Sequence, residues 1–407
     1  MTQPNLFSPP PATTRGDRQR WGSLYGSAQS LAIANQARLS KQLTVIICND
    51  TATALRLEQE LAFYAPDLDT LHFPDWETLP YDSFSPHQDI ISERLNTLYR
   101  LSQLDHGILV VPVSTLMHRL LPSHYLNAHS LVIKINQRFD IDAMRLQLEA
   151  NGYRCVNTVY EHGEFALRGS IMDIFPMGSQ IPFRIDLLDD EVDTLRTFEP
   201  ESQRTIEQVS EISLLPGKEF PLDEEGIKNF RNQWHAQFDV DHRRCPIYQD
   251  ISDGIAPAGI EYYLPLFFEH TSTLFDYLPD NALVACLEGL EAASDQFWRD
   301  LHQRFEDRNI DPQRPLLNPS QLFISTEQLF SDLKNYPRII LHREPLDSKA
   351  GNHNFDSQPP SFLTVDTKSD KPLKELEQLI NDGTERVLFC AESAGRRESL
   401  LDLLQRH

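Results

Sequence analysis

Two runs that are apolar almost throughout, residues 43–48 (Leu-Thr-Val-Ile-Ile-Cys) and 107–113 (Gly-Ile-Leu-Val-Val-Pro-Val), constrain this chain more than any other feature. A strand with no polar alternation has no face to offer water, so it belongs inside a parallel sheet covered on both sides. Helical patterns surround the runs. Residues 27–39 are rich in helix formers, 52–64 carry Leu55, Leu57, Leu61 and Phe63, and 90–101 place apolar residues at 91, 95, 98 and 101. Residues 114–121 are expected to form another helix. This β-α-β alternation predicts an α/β fold with helices on both faces of the sheet. The same texture returns later, with helices at 223–238 and 292–305 and short apolar strands at 283–286 and 339–341.

Between the two pieces the texture changes. After Pro122 come a strand at 131–135, a helix at 141–151 opened by Asp140 or Asp142, and then strands at 171–175, 183–188, 193–198 and 211–215. Turn signals at Pro176-Met177-Gly178 and Asp189-Asp190 separate them, which predicts a small, mostly antiparallel domain inserted in the first. The expected organisation is a flexible N-terminus (1–20), an α/β domain in two parts (21–125 and 216–343), and the inserted strand-rich α+β domain (126–215). A linker (344–371) leads to the start of a further α/β domain (372–407). That last piece reads as helix 372–381, strand 386–391 and helix 393–406, so the chain is expected to stop inside it.

Charge narrows the function. A formal net charge of −23 repels long stretches of nucleic acid, whose binding draws on lysine and arginine, and favours a protein partner or plain solubility. The five cysteines are scattered without a C-x-x-C pair and read as reduced, structural residues. No H-E-x-x-H or G-x-S-x-G occurs, so no metal, cofactor or hydrolase nucleophile is expected. No run approaches the roughly 20 apolar residues of a membrane span, and the polar, proline-rich first twenty residues are unlike a secretory signal. The expected location is cytoplasmic.

Two segments invite comparison with a nucleotide site. Residues 23–30 (Ser-Leu-Tyr-Gly-Ser-Ala-Gln-Ser) align with a phosphate-binding loop, G-x-x-x-x-G-K-[ST]. Gly26 and the hydroxyl of Ser30 survive, but Ala28 stands at the last glycine and Gln29 at the lysine, where no charge remains to meet a triphosphate. At the end of the strand near 283–286, where an aspartate holds magnesium and a glutamate activates water, stand Leu287 and Glu288. A leucine cannot bind magnesium, and Glu288 reads as a solvated glutamate.

The loop 73–86 carries Phe73, Trp76, Tyr81 and Phe84 among acidic residues, with no lysine or arginine beside them, so packing is preferred over base stacking. In the strand-rich segment Arg168 and Arg184 lie on or beside neighbouring strands, with apolar Leu188 nearby. Together with Phe165 and Asp186 they form a candidate partner-binding surface of arginine and apolar anchors. The other reading, that both arginines merely pair with local acids, is equally open at this point.

Four segments then carry a resemblance: 75–91 (Asp-Trp-Glu-Thr-Leu-Pro-Tyr-Asp-Ser-Phe-Ser-Pro-His-Gln-Asp-Ile-Ile), 161–176, 257–262 and 275–279. The chain, from about residue 21 to 407, resembles the N-terminal module of bacterial transcription-repair coupling factors, itself similar to the nucleotide-excision-repair protein UvrB. The resemblance implies a degenerate RecA-like (P-loop-type) domain whose inserted domain recruits the excinuclease component UvrA to stalled RNA polymerase through Arg168 and Arg184. Leu188 stands at an adjoining apolar contact where other members can carry an aromatic. It also implies that RNA polymerase and DNA are engaged by later domains, including an ATP-driven translocase, and that a C-terminal domain covers the partner surface in the resting protein. The alternative is an ATP-dependent damage-recognition helicase like UvrB. Gln29 and Leu287 count against it, and so does the short path from residue 86 to the helix at 90, which leaves no room for a DNA-inserting hairpin.

Overall fold

Every residue of Leu43–Cys48 and Gly107–Pro112 is buried, as strands without a solvent face require. The computed structural model describes residues 5–11, 16–360, 363, 371–383 and 386–406. The chain forms two units, Met1–Asp356 and Ser357–His407.

The first unit begins with β1 (Arg18–Gly22), α1 (Ala28–Ser40), β2 (Leu43–Cys48), α2 (Thr51–Tyr64), β3 (Thr70–His72), α3 (Gln88–Leu101), β4 (Gly107–Pro112), α4 (Val113–Leu116) and α5 (Ser123–Ala128). The middle holds β5 (Leu131–Lys134), α6 (Ile141–Ala150), β6 (Arg154–Cys155), β7 (Glu164–Arg168), β8 (Ile171–Phe175), β9 (Phe183–Leu188), β10 (Glu191–Phe198), β11 (Thr205–Val209) and β12 (Glu211–Leu214). It closes with α7 (Glu224–Gln237), α8 (Pro246–Ser252), β13 (Leu283–Leu287), α9 (Leu290–Arg308), α10 (Pro319–Leu322), α11 (Thr326–Leu333), β14 (Arg338–Leu341) and β15 (Asn352–Asn354).

Seven parallel strands form the main sheet in the order β15-β1-β14-β13-β2-β4-β3. Because all point one way, the loops that follow them gather at one carboxyl edge, where open α/β sheets place their ligand sites. The stretch β5–β12 interrupts this sheet between β4 and β13. It forms a six-stranded sheet, β11-β10-β9-β8-β7-β6, antiparallel except for β6 with β7, and a two-stranded pair, β12-β5. One face of the six-stranded sheet (Phe165, Met172, Ile174, Ile185, Leu195) joins the main hydrophobic core. The mixed α/β architecture and the inserted antiparallel sheet agree with the sequence.

Several boundaries do not. Residues 16–20 are no flexible arm: β1 pairs with β14 on one side and β15 on the other, which satisfies the backbone of a strand too charged to announce itself. Leu6 packs against the core, and Asn35 Nδ2 donates to its carbonyl at 3.0 Å. Residues 1–4 and 12–15 lie outside the described residues. The expected linker begins too early, since β15 adds a strand and Phe355 packs edge-on against Trp21 at 5.2 Å. Its residues 361–362 and 364–370 also lie outside the described residues.

The helix expected over 114–121 ends at Leu116. Beyond it Arg119 N–H donates to the Leu322 carbonyl (2.8 Å) and Leu120 N–H to that of Ser272 (2.7 Å), and Pro122 keeps the preceding residue out of the α region. In the second unit α12 (Lys374–Asp382) and α13 (Ala394–Arg406) form as expected. The strand expected over 386–391 does not, because those residues stand exposed without a ladder partner among the described residues. Among the described residues no helix is long and apolar enough to cross a membrane, and no group of His, Cys, Asp or Glu is arranged to hold a metal ion.

Candidate functional site

In an antiparallel sheet, residues opposite one another share a face. The ladder sets Ala166 opposite Asp173, Asp173 opposite Arg184 and Arg184 opposite Arg196. Arg168 lies opposite Ile171, and Ile171 opposite Asp186. Arg168 and Arg184 therefore do share a face, but on β7 and β9, which are not neighbours; β8 runs between them and places Asp173 there. The opposite face is the one that enters the core, and Phe165 belongs to it with 0% exposure. Phe165 is thus a core residue, because alternation along β7 turns it away from the arginines.

Asp173 is buried, at 1% exposure. Arg184 grips it with both ends of its fork, Nε to Oδ1 at 2.7 Å and Nη2 to Oδ2 at 2.9 Å, and lies over the Phe198 ring at 5.0 Å. Arg168 approaches the same carboxylate at 3.8 Å while its Nη2 donates to the Asn157 carbonyl at 2.9 Å. Asp186 accepts from Thr194 Oγ1 at 2.8 Å and pairs with Arg196, so it anchors its neighbours and is not itself a free acid. Leu188 ends the row, 68% exposed. Arg184 thus pairs with a local acid, as one of the two readings expected, and the face of β7–β10 carries three arginines among four acids, Glu164, Asp173, Asp186 and Glu191. Sequence reading missed Asp173 and Arg196; the signal was a lone aspartate in the middle of the apolar strand Ile-Met-Asp-Ile-Phe.

The nucleotide-like residues meet at the carboxyl edge of the main sheet. Ser23 N–H donates to the Glu344 carbonyl and Leu24 N–H to that of His342, while His342 also pairs with the Glu288 carboxylate at 3.3 Å. Ser30 is fully buried and its hydroxyl is spent on Glu60, which Arg56 pairs at 2.7 Å. Gly26 has a left-handed backbone (φ 55°), Ala28 opens α1, and Gln29 follows it in the first turn. Leu287 is buried at the end of β13, and Glu288 is exposed beyond it. A carboxylate on Ser30 thus occupies the reach of the one hydroxyl a magnesium–phosphate complex would need.

The aromatic loop is internal. Phe73, Trp76 and Tyr81 are buried, and only Phe84 projects. Trp76 Nε1 donates to Glu219 at 2.9 Å, and Arg94 Nε donates to the same carboxylate at 3.0 Å. The Arg94 guanidinium also lies 4.5 Å from the centre of the Phe73 ring and 5.1 Å from that of Trp76. Burial, with Arg94 close by, holds the neighbouring His118 imidazole down at about 3. Where the loop ends, Ser85 Oγ donates to Glu261 at 2.8 Å, and burial pushes that carboxyl up to about 7.

Comparison with known proteins fits this geometry. The family model described as the UvrB interaction domain matches residues 131–220, which span the whole six-stranded sheet, and the model described as MFD, D3 domain matches 380–407. The transcription-repair-coupling factor of Haemophilus influenzae is 45% identical over 401 residues, 98% of this chain and 35% of that protein. That of Escherichia coli is 46% identical over 392 residues, 96% of this chain and 34% of that protein. That of Rickettsia prowazekii is 25% identical over 382 residues, 92% of this chain and 34% of that protein. The chain spans about a third of the length of these relatives. It belongs to the transcription-repair-coupling factor family, to the N-terminal region of its members.

Proposed function

We propose that this chain is a docking module of transcription-coupled nucleotide excision repair, and that the outer face of β7–β10 binds UvrA. The observation that carries the reading is a group of three arginines, Arg168, Arg184 and Arg196, on one sheet face with exposed Leu188, inside the segment that matches the UvrB interaction domain. Arginine is enriched in binding hot spots, and the exposed Leu188 beside these arginines adds apolar surface to the contact. In the longer protein, RNA polymerase and DNA are engaged by later regions, a translocase among them, and a C-terminal domain covers this face at rest. Titration of UvrA into the chain measures the contact. Arg168→Glu with Arg184→Glu weakens it at least tenfold, about 1.4 kcal/mol, and unchanged affinity removes this face from the reading.

The parallel sheet is proposed to be a RecA-like scaffold without ATP chemistry. Three things support that: Gln29 in place of a lysine, Leu287 in place of an aspartate, and the Ser30 hydroxyl committed to Glu60. Calorimetric titration with Mg-ATP is expected to give no heat of binding at micromolar concentration. Saturable binding there favours the helicase-like alternative.

A further inference from the structure

We propose that Asp173 is the positioning residue of the docking face: itself out of reach of any partner, it fixes where the guanidiniums of Arg184 and Arg168 stand. The inference rests on the docking reading above and concerns how that face is built.

Among the described residues two carboxylates on this face are buried, Glu164 and Asp173; Glu164 is taken by Arg154 and by the Tyr160 and Glu161 N–H groups, whereas Asp173 occupies the strand between the two arginines. Its oxygens are not equivalent. Oδ1 takes Arg184 Nε alone, whereas Oδ2 takes Arg184 Nη2 and is also the atom nearest Arg168. A fork gripped at two points loses its rotational freedom, so the Arg184 guanidinium is held in place over the Phe198 ring, 5.0 Å from its centre. Arg168 is held from two directions, by the Asn157 carbonyl and by the shared carboxylate. Rigid anchors lose little entropy when a partner arrives, and that advantage appears as slow dissociation.

Charge and geometry make opposite predictions here, which gives the test its force. Removing the Asp173 charge takes one of the four acids from a face of three arginines and makes it one unit more positive. That strengthens long-range attraction for an acidic partner and raises the association rate. Loss of the anchor raises the dissociation rate.

Association and dissociation of purified UvrA are measured on the immobilised 407-residue chain, with thermal melts to verify folding. Asp173→Asn is expected to keep or raise the association rate while dissociation speeds up at least fivefold. Asp173→Glu keeps the charge but moves the carboxylate by one methylene; it is expected to leave association unchanged and to speed dissociation. Partial unfolding cannot mimic this pattern, because it lowers the number of active molecules and not the rate constants of those that remain. Should the asparagine variant fail to fold, the glutamate variant carries the test. Wild-type dissociation rates in the folded Asp173 variants, with Arg168→Glu still weakening binding, overturn the proposal alone. A wild-type chain that does not bind overturns the docking reading and this inference with it.

Discussion

Glu219→Gln is the most informative single change in the core. Glu219 and Arg94 form an ion pair whose side chains are 1% and 0% exposed, and the same carboxylate accepts from Trp76 Nε1. Removing one member of such a pair typically costs about 3–5 kcal/mol, because the other charge stays buried and unpaired. Two contributions temper that here. Glutamine keeps an oxygen for one of the two donors, and the Phe73 and Trp76 faces retain about 1–2 kcal/mol of cation–π attraction for Arg94. The expected loss is therefore about 3 kcal/mol. With a urea slope of about 3 kcal/mol/M, the midpoint falls by roughly 1 M. The cycle partner is Arg94→Met: added to Glu219→Gln, it recovers at least about 1 kcal/mol, because the orphaned cation is what costs. A loss below about 1 kcal/mol in Glu219→Gln, or a further additive loss on adding Arg94→Met, refutes the account of this loop as a stapled core element.

The Glu261 carboxyl, pushed by burial to about 7, binds a proton more readily folded than unfolded. Its stabilisation is therefore fully present below its ordinary pKa of 4.5 and is lost as pH rises through 7, an expected loss of about 3 kcal/mol. Glu261→Gln removes that dependence, so equilibrium unfolding at pH 5 and pH 8 shows the variant gaining on the wild type at the higher pH. Phe165→Ala opens a cavity in the core and costs about 3–5 kcal/mol in chemical denaturation, whereas Leu188→Ala changes stability by less than about 0.5 kcal/mol and acts on partner affinity. Equal stability losses in those two variants contradict the assignment of the two faces.

Much of the architecture was legible in the chain itself. Unbroken apolar runs at 43–48 and 107–112 specify a sheet covered on both sides, and the change to alternating strands after Pro122 marks the insertion. Hydrophobic periodicity is local, and a window of a dozen residues contains it. Gln29 and Leu287, the residues on which the proposed loss of nucleotide chemistry rests, were readable for the same reason, because each is compared with a short local pattern.

What depends on distant segments was decided only in three dimensions. Arg18–Gly22 becomes a strand because β14 and β15, more than 300 residues later, supply its hydrogen bonds. The aromatic loop is a core element because Glu219 and the Leu317 carbonyl reach it from the far side of the insertion. Arg94 sits on the buried stripe of α3 next to Leu95 and Leu98, and that position hinted at a buried cation, but its partner lies 125 residues away. The candidate face shows the same division. Composition named Arg168, Arg184 and Leu188, but strand register alone turned Phe165 inward and set Asp173 between the arginines, because a side chain's face is fixed by pairing with other strands.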